Sequence, residues 1–484
     1  MMLSLSLLPP KLRYRYKTQP YSHQKRALAK IQKLNGQAAL FMEMGTGKTK
    51  VAIDWAGIGY YNYDIRKVLI VAPLSVLGVW PRQIRQHSAV PSRIYRLSGN
   101  SRERAGNLRR ILRLPDDGKL TYVLINYEGI WRKVSQSNDS IESLLNSWGP
   151  DLVIFDESHR IKSPTAKQSK AAWRIARNSR QRLILTGTPI TKAPLDVFGQ
   201  FRALDHSIFG DNWYAFKFTF GIWGGFGKYQ LLRYRNLDLL IEKVRAHSFR
   251  IKKTQCLDLP EKLFQDVPVT LSDRALKLYK EMSEQAIIEI EETHATATIV
   301  LTKILRLQQI TSGFIKDIEG NIRIFDDSKL NVFKDLLEDV LAEDQKVVVF
   351  FRFIPDLRRV EQHLLDKGIP HRILSGSVPE RERDSIMEEF QTDPKIKVFL
   401  AQIQAGSEGI ELFAASVAIY YSMNNSLLHW QQSQDRLHRP GQTKNVTYYR
   451  LIAPRTVDSL TYKALDEKKK IADIVIHDPL VLRH

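Results

Sequence analysis

The chain has 484 residues, enough for two large domains or about three of average size. Lysine and arginine total 73 against 52 aspartate and glutamate, for a net charge of +21. Residues 1–250 hold the excess, with 41 basic and 17 acidic side chains, whereas 251–484 carry 32 and 35. A positive field of this size attracts a polyanion, most commonly nucleic acid. A hydrophobic fraction of 43% excludes wholesale disorder.

The cellular compartment is constrained by cysteine content and by the first residues. Cys256 is the single cysteine, so the chain can form neither an internal disulfide nor a cysteine-based zinc cluster. Residues 1–10 lack the basic start and small-residue cleavage site of a secretion signal, and no apolar run approaches about 20 residues. We expect no membrane span and no structural metal. The cytoplasm is expected, or the nucleus for a eukaryotic source.

Short apolar runs ending at turns predict buried strands in the first half, at 38–42, 67–71, 122–125, 152–155 and 182–185. The second half repeats the pattern at 346–350, 372–374, 398–401, 417–420 and 446–451. Amphipathic stretches lie between the runs. This alternation predicts an α/β fold with two parallel sheets wrapped by helices.

The region between the two sets of strands has a different pattern. Residues 195–250 are aromatic-rich and irregular, and 276–290 and 298–310 have helical periodicity. We predict a first lobe at 1–250 with an inserted protrusion at about 195–250, a linker at 251–270, a helical protrusion at 271–330 and a second lobe at 331–484. The aromatic side chains of 213–226 are expected to fill a core, with stacking on exposed bases as the alternative.

A glycine-rich turn follows the first predicted strand and opens a helix: Met44-Gly45-Thr46-Gly47-Lys48-Thr49. Glycines let backbone N–H groups close around phosphate oxygens, and a helix N-terminus adds positive partial charge. Lys48 is then placed for the terminal phosphates of a nucleotide, and Thr49 for Mg²⁺. Met42 replaces the glycine that usually opens this motif.

Two carboxylates end the predicted strand 152–155. They are Asp156 and Glu157, followed by Ser158 and His159. Hydrolysis of a bound nucleotide needs a carboxylate for the metal and a base or orienting group for water. We predict that Asp156 holds Mg²⁺ and that Glu157 polarises the attacking water.

Further motifs follow in order: Leu185-Thr186-Gly187-Thr188-Pro189-Ile190, 347–353, 374–377, 405–412 and Gln432-Ser433-Gln434-Asp435-Arg436-Leu437-His438-Arg439-Pro440-Gly441-Gln442. Together with Asp156-Glu157-Ser158-His159, they resemble motifs II to VI of the Swi/Snf-type DNA translocases of helicase superfamily two. The resemblance extends from about residue 12 to about 475. It implies two RecA-like lobes in tandem, helical protrusions between motifs III and IV, and ATP with Mg²⁺ as cofactors.

The resemblance also implies roles for individual residues at the nucleotide. Gln24 resembles the glutamine that recognises adenine, and Arg436 and Arg439 resemble the arginines that reach the γ-phosphate. An Arg-x-x-Arg pair at helical spacing is expected to place both guanidinium groups on one face. Gln432, Gly409 and Glu411 are expected beside them, although Glu411 stands where the family often has asparagine.

Nucleic-acid contacts are implied in both lobes. In the first, residues 72–77 resemble motif Ia, and small hydroxyls and backbone amides suit contacts with phosphate. The candidates are Pro73, Ser75, Asn126, Tyr127, Ser377, Gln404 and Ala405.

The function implied is ATP-driven translocation on double-stranded DNA, which remodels protein–DNA complexes or branched DNA, by a protein that is a monomer when free. One alternative is a strand-separating helicase on DNA or RNA. Against it stand Asp-Glu-Ser-His in motif II and about 160 residues between Thr186 and Val347. The other is a DNA clamp gated by ATP without turnover, which the intact Lys48, Asp156 and Glu157 disfavour.

Overall fold

A computed structural model of the chain describes residues 14–476 except 116, 135–138, 226–229, 257–258, 294–296, 318 and 407–410. The chain divides into two compact units, Met1–Leu257 with Lys470–His484, and Asp258–Lys469. Each unit contains its own parallel sheet, as the alternation of strands and helices predicts. In the described ranges, no helix combines the length and apolar character needed to cross a membrane.

The first unit is built on strands β1 (Gln37–Met42), β2 (Lys67–Ala72), β3 (Ser92–Arg96), β4 (Leu120–Asn126), β5 (Leu152–Asp156), β6 (Gln181–Leu185), a hairpin of β7 (Gly221–Gly224) and β8 (Gln230–Tyr234), and β9 (Ser248–Ile251). All but the hairpin form one parallel sheet in the order β3-β4-β2-β5-β6-β1-β9. The central strand β5 is buried along its whole length, as expected for a parallel strand covered on both faces.

The helices of the first unit connect these strands. They are α1 (Ser22–Lys33), α2 (Lys48–Asn62), α3 (Leu74–Leu77), α4 (Val79–His87), α5 (Ser101–Leu112), α6 (Ile141–Trp148), α7 (Lys167–Ala176), α8 (Val197–Leu204), α9 (Trp213–Phe220) and α10 (Leu237–Ala246). Helix α2 follows the glycine-rich turn and is buried on most sides, with Trp55 and Ile53 in the core.

The second unit has strands β10 (Lys262–Pro268), β11 (Phe314–Lys316), β12 (Ile322–Ile324), β13 (Val347–Phe351), β14 (His371–Leu374), β15 (Val398–Gln402), β16 (Val417–Tyr420) and β17 (Val446–Ile452). Its helices are α11 (Asp273–Thr293), α12 (Ala297–Thr311), α13 (Ser328–Ala342), α14 (Ile354–Asp366), α15 (Glu380–Thr392), α16 (Ile403–Gly406), α17 (Leu427–Leu437) and α18 (Val457–Ile476), the last beginning in this unit. The parallel sheet has the order β10-β17-β16-β13-β15-β14, and β11 and β12 form a separate antiparallel pair.

The predicted strands are present within one or two residues of their expected bounds, and the α/β fold class is confirmed. One expectation is wrong in part: residues 251–270 are not only a linker, because β10 pairs in parallel with β17 over seven residues. Strand β10 is mostly exposed at the sheet edge, so its sequence lacks a buried apolar run. Strand β3 was not predicted either, since polar residues occupy three of its five positions.

The aromatic residues of 213–226 mainly form a core, as expected. Phe216 and Phe220 are buried, with ring centroids 4.8 Å apart, and Phe216 lies 4.8 Å from Phe198 of α8. Tyr214 and Phe218, one helical turn apart, are instead 68% and 42% exposed. The core interpretation therefore holds for one face of α9.

Candidate nucleotide and nucleic-acid sites

The strand order of the first sheet brings the predicted nucleotide motifs together. Strand β6 lies between β1 and β5, so the loops after these three strands emerge side by side at the carboxyl edge. The loop after β1 contains the glycine-rich turn, β6 leads to Thr186, and β5 ends at Asp156. Next along the same edge are the ends of β2 and β4, which lead to the predicted nucleic-acid segments.

The glycine-rich turn has the backbone of a phosphate loop. Gly45 and Gly47 have φ values of 85° and 87°, the left-handed region that glycine adopts without strain. Helix α2 starts after Gly47 with no side chain bonded to its first N–H groups. The Lys48 ammonium donates to the Met42 carbonyl at 2.8 Å and the Glu43 carbonyl at 3.3 Å, so it lies folded over the turn.

Two neighbouring segments pack closely against this loop. A Cβ on Gly47 would lie 2.2 Å from Nε2 of Gln24, and one on Gly187 would lie 3.3 Å from the backbone nitrogen of Met44. Gln24 donates to the Thr46 carbonyl at 3.3 Å and accepts from the Tyr21 backbone at 2.9 Å. Gln24 therefore supports the loop, and its predicted recognition of adenine stays a prediction.

Asp156 is buried at the end of β5. Its Oδ2 accepts a hydrogen bond from Trp80 Nε1 at 3.0 Å, and its Oδ1 accepts from the Glu157 backbone at 3.0 Å. Burial and then the charge of Glu157 raise the pKa of Asp156 to about 6, while the Lys48 ammonium opposes the rise. The effect of Lys48 indicates that these two predicted residues share one electrostatic environment.

Glu157 is held by residues from motifs II and III. Its Oε2 lies 3.3 Å from Oγ1 of Thr186 and 3.2 Å from Nδ1 of His159, and the His159 ring also lies 3.2 Å from Thr186 Oγ1. Its backbone is left-handed, with φ 51°, which is uncommon for a residue with a side chain. A carboxylate oriented in this way is suited to accept a proton from water.

Sequence reasoning missed Gln200, which connects motifs II and III. The side chain is fully buried on α8, where Oε1 accepts from Ser158 Oγ at 2.8 Å. Its Nε2 donates to the Pro189 carbonyl at 2.7 Å. A polar residue within the apolar run Val197-Phe198-Gly199-Gln200-Phe201 is the one local signal of this role.

The residues present fit a bound Mg²⁺. The ion typically takes one or two protein oxygens, waters and substrate phosphates, so a large protein ligand set is not required. Thr49 is half-buried at the second position of α2, and Asp156 ends β5 at the same edge. In the ranges described, no three His, Cys, Asp or Glu side chains cluster as metal ligands.

The structure corrects part of the predicted nucleic-acid interface in the first unit. Tyr127 is 1% exposed and its hydroxyl donates to the Asp156 carbonyl at 2.7 Å, so its side chain cannot reach a ligand in solvent. Pro73 is buried, and Asn126 is buried with its amide donating to Glu128 at 2.8 Å. Ser75 lies on α3. A position directly after a strand predicts the edge of the sheet but not the direction of a side chain.

Three basic side chains and one tryptophan lie beside the end of β4, in a group that we call the basic edge: Arg104, Trp131, Arg132 and Lys167. Arg132 and Lys167 are exposed and lie 4.7 Å and 5.0 Å from the centroid of the Trp131 ring. A Cβ on Gly129 would lie 2.2 Å from Arg104 Nη1. Burial and the charge of Arg132 lower the pKa of Arg104, which means that positive charge is concentrated here.

The predicted arginine pair of the second unit does not share a helix face. Helix α17 ends at Leu437, so Arg436 lies in its last turn and Arg439 beyond it. The helix stops because Pro440 disfavours helical backbone at the residue before it. Arg436 is 2% exposed, whereas Arg439 pairs with Glu411 through Nη2 and Oε1 at 2.8 Å. The expectation of one shared face is wrong.

The other candidates of the second unit occupy separate loops and helices. Gln432 is buried on α17, and Gln404 and Ala405 lie on the short helix α16, with Gln404 exposed. Ser377 Oγ lies 2.8 Å from Ser375 Oγ after β14. Gly409 lies outside the described residues.

Comparison with known protein families identifies the chain. The SNF2-related domain profile matches residues 23–313, and the helicase conserved C-terminal domain matches residues 328–441. The chain belongs to the SNF2-related family. It is an SNF2-type member of helicase superfamily two, a class of ATP-dependent enzymes.

Two relatives illustrate the similarity of this SNF2-related chain. The DNA annealing helicase and endonuclease ZRANB3 of Bos taurus is 28% identical over 96% of the chain and 41% of the relative. An uncharacterised ATP-dependent helicase of Mycoplasma genitalium is 28% identical over 89% of the chain and 39% of the relative. The chain spans about two fifths of these relatives' length.

Among solved structures, the Sulfolobus solfataricus SWI2/SNF2 ATPase core in complex with dsDNA resembles this SNF2-related chain with a TM-score of 0.43 and 22% identity. The alignment covers 97% of this chain and 95% of the other.

Proposed function

We propose that the chain is an ATP-dependent translocase on double-stranded DNA that remodels protein–DNA complexes or branched DNA. The observation that carries the proposal is the arrangement at one sheet edge. The phosphate loop, Asp156, Glu157 and Thr186 meet there, and the basic edge lies at the end of a strand of the same sheet. The residues proposed for ATP hydrolysis and those proposed for DNA binding thus lie on the same parallel sheet.

In this proposal, the backbone of the phosphate loop and Lys48 bind the terminal phosphates of ATP, while Gln24 contacts adenine. Thr49 and Asp156 would hold Mg²⁺, which supplies positive charge beside the phosphates. Glu157 accepts the proton of the attacking water, with His159 and Thr186 fixing its orientation.

Roles at the γ-phosphate are proposed for residues of motifs V and VI, as the resemblance to the family implies. Arg439 stabilises the charge that develops on the γ-phosphate, whereas the same role for the buried Arg436 stays a prediction. Gln432, Glu411 and Gly409 belong to the same motifs V and VI. A fixed guanidinium suits this role because it stays charged and donates several hydrogen bonds in one plane.

The proposed duplex site of the first unit is the basic edge together with Ser75 on α3. Arg132 and Lys167 are exposed cations, and Trp131 between them supplies a flat apolar surface. Contacts of cations with backbone phosphates do not depend on base sequence, as a protein that moves along DNA requires. In the second unit, Ser377, Gln404 and Ala405 are proposed to contact the backbone.

The interval between motifs III and IV supports duplex DNA over single strands. It contains α8 to α13, far more structure than strand separation requires. The name of the relative ZRANB3, a DNA annealing helicase and endonuclease, supports DNA as the nucleic acid.

Displacement of a third strand from a DNA triplex tests the proposal, because it reports duplex translocation without strand separation. We expect ATP-dependent displacement and ATPase stimulation by duplex DNA above that by single-stranded DNA or RNA. Stimulation by RNA with no triplex displacement would favour a strand-separating helicase. DNA binding without any ATP turnover would favour the ATP-gated clamp.

A further inference from the structure

Asp156 accepts hydrogen bonds from two aromatic side chains of other segments. Trp80 Nε1 donates to its Oδ2 at 3.0 Å, and the Tyr127 hydroxyl donates to its main-chain oxygen at 2.7 Å. Both aromatic residues are 1% exposed. The indole N–H can only donate, so its bond fixes one orientation of the carboxylate. Two buried rings therefore set the position of the proposed metal ligand.

Trp80 is joined to the proposed DNA contact on α3 by nearly continuous helical backbone. Only Gly78 separates α3 from α4, and its φ of −66° and ψ of −27° are helical values. The stretch from Leu74 to His87 is therefore nearly one continuous helix. Leu74 at its start is 47% exposed, whereas Trp80 is in the core. Displacement at the exposed end would reach Asp156 through the Trp80 indole.

Tyr127 is connected in the same way to the basic edge. It follows β4 directly and precedes Glu128 and Gly129, and Gly129 packs against Arg104. The phenol ring points away from this surface into the protein, where its hydroxyl reaches the end of β5. Each of the two proposed DNA segments in the first unit thus sends one buried aromatic side chain to the same aspartate.

We propose that Trp80 and Tyr127 are positioning residues that couple DNA binding to ATP hydrolysis by aligning Asp156. This inference rests on the proposed function and names its regulation. Contact of a duplex with α3 and the basic edge shifts both donors, so that the Trp80 indole turns the carboxylate of Asp156 and the Tyr127 hydroxyl moves its main chain into the productive position. An error of about 1 Å in the position of a catalytic group can cost about 100-fold in rate, so small shifts are sufficient.

The test measures ATP turnover of Trp80→Phe and Tyr127→Phe across a titration with duplex DNA. Each substitution keeps an aromatic ring and removes the donor. We expect turnover at saturating DNA to fall by about tenfold in Trp80→Phe, the cost of losing one hydrogen bond to a charged group, and by less in Tyr127→Phe, whose bond is to a neutral carbonyl. The rate without DNA should fall less, and the DNA concentration that gives half-maximal stimulation should stay within about twofold, since no proposed DNA contact changes.

Trp55→Phe is a matched control, because the Trp55 indole is also 1% exposed and donates to Gln181 Oε1 at 2.8 Å, away from Asp156. It should keep normal stimulation. Equal losses with and without DNA in Trp80→Phe and Tyr127→Phe would indicate a purely structural role and overturn the proposal, as would unchanged stimulation or weakened DNA binding. A wild-type protein without any DNA stimulation would instead refute the proposed function itself, together with the coupling.

Discussion

The positions of the motifs along the chain predict which side chains meet at the carboxyl edge of the first sheet. They do not predict this for the second sheet. In the first unit, residues from distant motifs touch: Thr186 and Glu157 are 3.3 Å apart, and the charge of Lys48 acts on Asp156. In the second, Arg436 is buried in a helix and Arg439 lies past its end, paired with Glu411. Motifs at the carboxyl ends of neighbouring parallel strands lie side by side. Two residues at helical spacing, in contrast, share a face only if the helix includes both of them.

The largest expected effect belongs to the convergent edge. Glu157→Gln should lower DNA-stimulated ATP turnover by about 10³-fold, because the amide cannot accept a proton from water. DNA binding, measured by fluorescence anisotropy, should persist. Glu142→Gln, which removes a carboxylate that pairs with Arg174 away from the site, is the control and should keep near-normal turnover. Retained turnover in Glu157→Gln would disprove the assignment of the base.

Replacing Arg436 and replacing Arg439 should change the stability of the protein by different amounts. Arg436→Ala should lower the free energy of unfolding by about 3 to 4 kcal/mol, since it empties a buried site and leaves polar neighbours unsatisfied. Arg439→Ala should change it by less than about 1 kcal/mol, because its partner Glu411 is 51% exposed. Urea denaturation of both variants checks the difference. Equal losses would mean that Arg439 is as structural as Arg436.

The sequence was sufficient for the buried strands of both sheets, and insufficient for the edge strands β3 and β10 and for the residues that hold the predicted nucleotide motifs in place. Strands such as β5 are detectable because every side chain in them is buried and apolar. Gln200 stands out as a polar residue in an apolar run, but neither it nor Trp80 shows in the sequence which residue it will bond, because the partners lie 42 and 76 residues away along the chain. Tyr127 was predicted to contact DNA because its position after β4 is visible in the sequence and its inward direction is not.

Each unit also contains a buried aspartate with a raised pKa, and the one in the second unit gives a test by pH. Asp356 of α14 accepts hydrogen bonds from Ser312 at 3.0 Å and Ser422 at 2.8 Å, both on Oδ2, and burial raises its pKa to about 6. A carboxyl whose folded pKa lies above its unfolded value stabilises the fold at low pH. That contribution, about 3 kcal/mol, is lost as pH rises from about 4 through about 6.

Asp356→Asn should therefore flatten the dependence of unfolding free energy on pH. The variant and the wild type should differ least near pH 4, and the variant should be the more stable of the two near pH 8, because it has no buried charge to form. Urea denaturation at several pH values measures this, with Asp335→Asn on α13 as the exposed control. A wild-type curve with the same slope as the variant between pH 4 and 7 would show that Asp356 ionises without cost.

The smallest expected effect concerns the carboxylate that pairs with Arg439. If Arg439 acts on the γ-phosphate, Glu411 competes with the phosphate for the same guanidinium. Glu411→Gln should therefore raise ATP turnover by about twofold to threefold at low salt, the effect expected from removing one partly exposed ion pair. Because salt screens exposed charges, the difference from wild type should shrink as ionic strength rises towards about 0.5 M. ATPase assays across a salt series measure this ratio. A drop in turnover in Glu411→Gln would mean that the carboxylate holds Arg439 in its productive orientation, so that pairing assists the arginine instead of restraining it.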